Sequence, residues 1–372
     1  MTNRKKDDVI SEANQHTIKK FDLIEAYVKE WAPKLLNNKS CENLVFIDCM
    51  CNSGEYIEKS TRNKVFGTPI RVTRVLSAFA EKYPSKKISV YYNDNSEEKI
   101  KHLKQLVKDA SAKLTLFFSV KDANLLLKEL AAKITNHKST NYLLVYDPYE
   151  ASIDWSAIIP YINNWGEVII NHMLSDPARA IRVVKRDQSV KKYESTYLTN
   201  IENLMPYGSD KKAYEKQIEE IISKLHTNRQ YYVAAFPFFN GRNSIVYDLI
   251  HCTNNIAGFK LYKKVAWKTF GGKSSTLNTH GQEEQMMIDF DDDGNLKTRT
   301  FEDCYYVKDI AEYLQNHFQG QNNIQLSALW NLLDKHPIFP SDGFRNEIKQ
   351  ILKNHFDAVI KNNTISFKRS KQ

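Results

Sequence analysis

The sequence predicts an α/β protein: a doubly wound, mostly parallel sheet followed by a smaller helical module. Three observations carry this expectation. Five short apolar runs, rich in β-branched and aromatic residues, alternate with helical patterns between residues 44 and 171; that alternation builds βαβ units. The first four runs each end in a polar cluster holding an aspartate, at Asp48, Asp94, Asp122 and Asp147. Chance acids would be spread over both strand ends, whereas these all fall on the edge where open parallel sheets bind ligands. Finally, two further strand-like runs joined by Asn240-Gly241 read as an antiparallel hairpin closing the sheet.

Taken in order, residues 1–14 are polar and read as a frayed end. From Gln15 to Leu36, Ile18, Phe21, Ile24, Tyr27, Val28, Trp31 and Leu35 recur at three- and four-residue steps, so this is an amphipathic helix. Its basic members His16, Lys19 and Lys20 are assigned to the solvated face. Leu44 to Ile47 is continuously apolar, as a strand buried on both faces requires. Asp48 ends it, and the loop Cys49-Met50-Cys51-Asn52-Ser53-Gly54 lets backbone amides approach a ligand. Thr68-Pro69 combines an N-cap with proline at the first helical position, starting a helix to about Tyr83. Strands follow at Ile88–Tyr92, Leu114–Val120, Asn141–Tyr146 and Val168–Asn171. Ser96 caps a helix after the first of these, and Trp155 to Tyr161 is a short helix before the last.

The region from Ser175 to Thr227 interrupts the alternation. It opens with Arg179, Arg182, Lys185, Arg186, Lys191 and Lys192, followed by Tyr193, and contains a helix from Asp210 to Leu225. The hairpin comprises Tyr231–Phe239 and Ile245–Cys252, and Gly258 to Phe270 is helical. Residues 271–302 read as a polar linker. Within it Asp289, Asp291, Asp293 and Gly294 mimic the start of a calcium loop, but Thr300 stands where the closing acid belongs, so a hairpin turn is preferred. Three helical patterns (Tyr305–Phe318, Gln325–Leu333, Ser341–Leu352) and two strand pieces around an Asn-Asn turn (Phe356–Ile360, Thr364–Lys368) make a winged-helix module over 303–372. Lys368, Arg369 and Lys371 would lie on or beside the wing. The expected organisation is thus 1–270, 271–302 and 303–372.

With 42% apolar residues the chain has the composition of a globular protein, and no apolar run reaches membrane-span length. A cytoplasmic location is expected, without a membrane partner. Cys41, Cys49, Cys51, Cys252 and Cys304 are scattered; Cys49-x-Cys51 is not a zinc spacing, so reduced thiols and no metal site are expected. The net charge of +9 points to a polyanionic partner and says nothing of fold.

The chain resembles the three-Cys-motif partner proteins (TcmP), bacterial proteins with a Rossmann-like methyltransferase domain. The resemblance spans most of the length. It lies in the helix ending near Trp31, in Asp48-x-Met50-Cys51-x-x-Gly54-x-Tyr56 against the family's Asp-x-Phe-Ala-Gly-x-Gly-x-Tyr, in Gly67-Thr68-Pro69 against Gly-Ser-Pro, and in Asp147-Pro148-Tyr149 against Asp-Pro-aromatic. Met50 stands in place of an aromatic, Asn52 of a glycine, and Glu150 where glycine is usual. The resemblance implies S-adenosylmethionine as cofactor and a three-Cys-motif protein as partner.

With that cofactor each strand-end acid has a task. Asp48 and its loop, including Cys49, Asn52 and Gly54, would border the methionine moiety, with Asp48 on the ammonium. Asp94 would accept from the ribose hydroxyls. Asp122 would accept from the adenine amino group while the Ala123 backbone meets a ring nitrogen. All would be charge-assisted or directional bonds. Asp147, Pro148 and Tyr149 form the candidate catalytic element: Asp147 accepts from a target amine and the ring stacks on an extruded base, so that rate comes from alignment. Arg179, Arg182, Lys185, Arg186, Lys191 and Lys192 would neutralise phosphates, with Tyr193 stacking on a base. The expected function is methyl transfer to nucleic acid; a non-catalytic adaptor of the same fold, binding nucleic acid or a partner protein, is the alternative, and a magnesium nuclease using Asp48 and Asp147 ranks last.

Overall fold

The computed structural model describes residues 9–184, 186–227, 230–278 and 304–368, with backbone alone at 289–290 and 296–297. Lys185, Arg369, Lys371, most of the expected linker and most of the calcium-like segment fall outside the described residues.

Helix α1 (Gln15–Leu36) precedes β1 (Asn43–Asp48), α2 (Thr68–Lys82), β2 (Lys87–Asp94), α3 (Glu97–Leu106), β3 (Leu114–Val120), α4 (Ala123–Ile134), β4 (Thr140–Tyr146), α5 (Trp155–Ile162) and β5 (Glu167–Met173). After an insertion carrying α6 (Asp187–Tyr197) and α7 (Lys211–Leu225), the sheet is completed by β6 (Tyr232–Phe239) and β7 (Ile245–Thr253), and α8 (Ile256–Thr269) returns across it. The seven strands lie in the order β3-β2-β1-β4-β5-β7-β6. The first five are parallel, and β7 runs antiparallel to both β5 and β6. The hairpin therefore folds back so that its second strand, and not its first, meets β5.

Side-chain alternation explains why the sheet is covered twice. Leu44 and Phe46 of β1, with Leu143 and Val145 of β4, face a core shared with α1, α2 and α8. Val45 and Ile47, with Tyr142, Leu144 and Tyr146, face a second core. That second core is closed by α4, α5 and the insertion, through Tyr193, Tyr197, Tyr214 and Ile218. A strand buried on both faces must read as an unbroken apolar run, which is the pattern of β1. The insertion that breaks the alternation is thus a packed layer. Tyr193 is buried, its hydroxyl donating to Asp176 at 3.2 Å, so it offers no face to a base; this corrects the stacking expectation.

Two further departures concern short segments. Ser11–Ala13 is a strand, not a frayed end, and pairs in parallel with Glu55–Glu58, which in turn pairs with Lys64–Phe66. Residues 271–278, expected to be linker, begin instead as packed chain: Leu277 joins Phe239 and Cys304 in a small apolar cluster.

The C-terminal part contains α9 (Val307–Phe318), α10 (Leu326–Lys335), α11 (Arg345–Phe356), and strands β8 (Val359–Lys361) and β9 (Thr364–Ser366). A two-residue strand at Ile324–Gln325 adds to β9, giving a three-stranded antiparallel sheet. Its core is continuous with that of α1 and α8. Lys263 of α8 is fully buried and donates to the carbonyls of Leu333 (2.9 Å), Asp334 and His336 where α10 ends. Burial pushes its pKa down to about 7, with Asp334 pulling the other way. Lys263→Met strands three carbonyls and is expected to cost about 3 kcal/mol, measured by urea denaturation; a loss under about 1 kcal/mol would show that solvent satisfies them.

Candidate functional site

The strand order reverses between β1 and β4, because β2 and β3 lie on one side of β1 while β4 and β5 lie on the other. Open α/β sheets bind ligands in the crevice outside the carboxyl ends at such a switch point. Asp48 ends β1 and Asp147 follows β4, so these two carboxylates flank it. Register places Asp48 beside Tyr92 and Val145, and Asp94 beside Val120. Hence Asp94 and Asp147 each lie two residues beyond a partner of Asp48, and Asp122 two beyond the partner of Asp94, all along one edge.

Asp48 is 3% exposed, and its described donor is the Met50 amide at 3.4 Å. Burial and then the neighbouring Asp147 raise its pKa to about 8, against which Lys20 acts. Lys20, from α1, is itself buried at 7% and pairs with the Oδ2 of Asp147, while Asn171 of β5 donates to Oδ1. This corrects the solvated-face assignment: Lys20 reaches the switch point and compensates two close carboxylates. Its position was readable, since Lys20, Ile24, Tyr27 and Trp31 follow one another at helical spacing. A lysine on an apolar stripe needs a buried partner, and only the fold shows which acid that is. Asp147 remains partly exposed, Pro148 is buried, and Tyr149 beside them is 68% exposed.

The loop after β1 keeps the backbone shape of a glycine loop without its first glycine. Asn52 adopts φ 57 and Gly54 φ 77, and asparagine tolerates the left-handed region better than most residues. The loop amides turn inward. Cys51 N–H donates to Asn93 O at 2.8 Å, Asn52 N–H to Asp94 Oδ2 at 3.0 Å, and Ser53 N–H to Asn52 Oδ1 at 2.7 Å. Asn52 Nδ2 donates to the Tyr149 hydroxyl at 2.8 Å, tying the β1 loop to the β4 loop. Asn52→Gly keeps the conformation and loses only the side-chain bonds to Ser53 N–H and the Tyr149 hydroxyl, whereas Asn52→Ala also strains φ. We expect the alanine variant to be the less stable by about 1 kcal/mol in thermal or urea unfolding; equal stabilities would contradict a φ-based role.

The remaining residues divide. Cys49 is buried, its thiol 3.4 Å from Val145 O, and burial raises its pKa well above normal. All five cysteines are buried and free. Asp94 is 4% exposed and accepts from Asn52 and Ser96 amides. Asp122 is exposed and caps α4, its Oδ1 accepting from Asn124 and Leu125 at 3.0 Å; Ala123 is the first residue of that helix. Arg179, Arg182, Arg186 and Lys191 are exposed. Lys192 is not: it bridges Glu150 and Asp176 at 2.9 and 3.1 Å, so its charge is already compensated. Among the described residues, no His/Cys/Asp/Glu group could hold a metal, and no helix is long and apolar enough to cross a membrane.

No family model matches the chain, and no curated protein matches it. Solved structures overlap loosely. The DszA carbon methyltransferase is 13% identical at a TM-score of 0.32, over 61% of this chain and 50% of its own. An O-methyltransferase from Bacillus cereus in complex with SAH is 8% identical at 0.32, over 63% and 80%. A SAM-dependent methyltransferase from Agrobacterium tumefaciens is 5% identical at 0.28, over 64% and 61%. The chain thus spans half the length of the first. The protein is of the α/β class, with a mostly parallel seven-stranded central sheet.

Proposed function

We propose that the chain transfers a methyl group from S-adenosylmethionine to nucleic acid, with a base amino group as target, as a TcmP-like protein. The observation that carries the reading is the switch point itself, where buried Asp48 ends β1, partly exposed Asp147 follows β4, and exposed Tyr149 comes two residues later. The donor set suits the cofactor. Asp48 is a buried carboxyl with one described donor, whose raised pKa a neighbouring ammonium would lower; Asp94 lies at the end of the neighbouring strand; Asp122 keeps Oδ2 without a partner among the described residues. When bound, S-adenosylmethionine supplies a methyl group on a sulfonium centre. Lys20 and Asn171 hold Asp147 in place, so that its accessible side accepts an amine N–H and fixes the nitrogen, an orientation effect. Tyr149 provides a face for the extruded base. The C-terminal part supports the nucleic-acid side of the reading: its helices and three-stranded sheet have the order of a winged helix, a module that docks a helix on nucleic acid. A three-Cys-motif protein as partner belongs to the same proposal.

One observation favours the adaptor reading instead. The β1 loop spends its Cys51, Asn52 and Ser53 amides internally, and Asn52 bonds Tyr149 across the loops. The discriminating assay offers methyl-labelled S-adenosylmethionine with mixed-sequence single-stranded DNA and RNA. Label in either nucleic acid supports methyl transfer; nucleic-acid binding with no transfer and no cofactor uptake supports the adaptor.

A further inference from the structure

A cavity of about 850 Å³ opens on the same sheet edge, beyond the carboxyl end of β5. Three elements distant in sequence bring cations to it: Lys59 follows the strand Glu55–Glu58, Arg179 comes from the insertion, and Lys211 begins α7. His16, in the first turn of α1, lines it too. None of the described residues lining it is acidic. Glu58 at its border is taken up by Gln15, Ser60 and Thr61. Arg179 donates to Ser175 O at 2.8 Å, and Lys211 to Ser244 Oγ at 2.8 Å and to Ile245 O, all neutral acceptors. Lys59 and Arg179 have no carboxylate partner among the described residues.

Three like charges held around one cavity without a carboxylate between them repel one another. The pKa of Lys211 is lowered by burial and then by Arg179, with Asp248 opposing. An anion in the cavity would relieve that repulsion. The helix α1 adds to it: its first turn borders the cavity with no acidic residue and no side-chain cap, leaving partial positive charge facing the same space.

The cavity also connects to the switch point. Met173 lines it, and Asn171, two residues earlier on β5, donates to both Asp147 and, at 3.8 Å, the Met173 sulfur. On the other side Tyr247 donates to His16 O at 2.9 Å and lies under the Lys20 ammonium.

We propose that this cavity is a phosphate-binding site that seats the acceptor substrate, with Lys59, Arg179 and Lys211 as its cations. It rests on the methyl-transfer reading only for the word acceptor; the phosphate site stands without it. The phosphate comes from a nucleic-acid backbone or from a small phosphorylated molecule, and the test separates the two.

The probes are a fluorescein-labelled single-stranded DNA dodecamer, followed by anisotropy over a salt series, and inorganic pyrophosphate, followed by calorimetry. The triple variant K59A/R179A/K211A is compared with wild type and with K113A, a lysine paired to Glu81 away from the cavity. For the backbone source we expect the triple variant to bind the dodecamer ~10–100-fold more weakly, with its log–log salt slope reduced by about 2, since each single-strand phosphate contact contributes ~0.7. R179E, at an exposed position, should lose ~10-fold by itself and guards against misfolding of the triple variant. For the small-molecule source, pyrophosphate binding is lost in the triple variant while the dodecamer is indifferent. Unchanged binding of both probes in folded triple variant and in R179E overturns the proposal. S-adenosylhomocysteine titration runs alongside: if it fails in wild type while the cation variants still lose a probe, the methyl-transfer reading falls and the phosphate site remains.

Discussion

Lys20→Met is expected to destabilise the protein by about 2 kcal/mol at neutral pH, because the Lys20–Asp147 pair is partly shielded from water and removing one partner leaves the other charge uncompensated. Asp147 would keep the Asn171 amide alone, and Asp48 beside it would lose the cation that opposes its raised pKa. The sign of the pH dependence follows from Asp48. Burial, then Asp147, raises its folded-state pKa to about 8, above the unfolded value of ~3.9. Between those values the folded state binds the extra proton, so stability falls as pH rises from about 4 to 8. The penalty is absent below the unfolded value and complete above the folded one. In Lys20→Met the Asp48 pKa rises further, so Asp48 adds to the gap between variant and wild type only above about pH 8, where the wild-type group has ionised and the variant's has not. Urea denaturation at several pH values measures this. A gap that does not widen above about pH 8, or none, would show that Lys20 does not oppose the raised Asp48 pKa.

Asp147→Ala is expected to lower methyl transfer at least ~100-fold while leaving cofactor affinity within about twofold, since Asp147 is assigned to the amine and orientation effects of this kind are large. Asp147→Asn keeps an acceptor oxygen and should retain more activity than the alanine variant. Asp94→Ala gives the opposite split: cofactor affinity falls ~10-fold or more, because a buried charged acceptor is lost. The same variant releases the Asn52 and Ser96 amides, so some stability is lost with it. Matching effects of Asp94→Ala and Asp147→Ala on binding would dissolve the division of labour proposed for them.

What was legible in the sequence follows from burial. Leu44 to Ile47 announces itself because a strand covered on both faces reads as an unbroken apolar run, and Asp48, Asp94, Asp122 and Asp147 mark the ends of this strand and of the next three in the sequence. Asn240-Gly241 announced the hairpin, though not that β7 would insert beside β5. The strand Glu55–Glu58 was hidden by its charged ends and short length, and its pairing with Ser11–Ala13 is a long-range choice. Helix α6 was masked by its basic residues, although Val190, Tyr193 and Tyr197 have core spacing. Lys20 carried a local signal, its place on the apolar stripe, but its partner is 127 residues away. The convergence of Lys59, Arg179 and Lys211 had no local signal, because only tertiary packing brings them to one cavity.

Calorimetric titration of the folded protein with S-adenosylhomocysteine addresses the cofactor site at its root. The account predicts saturable heat with one site per chain, weakened ~10-fold or more by Asp94→Ala and unchanged by Asp147→Ala. No heat at millimolar ligand, with the fold verified by circular dichroism, would contradict it and leave the switch-point carboxylates and Lys20 as a structural ion-pair cluster.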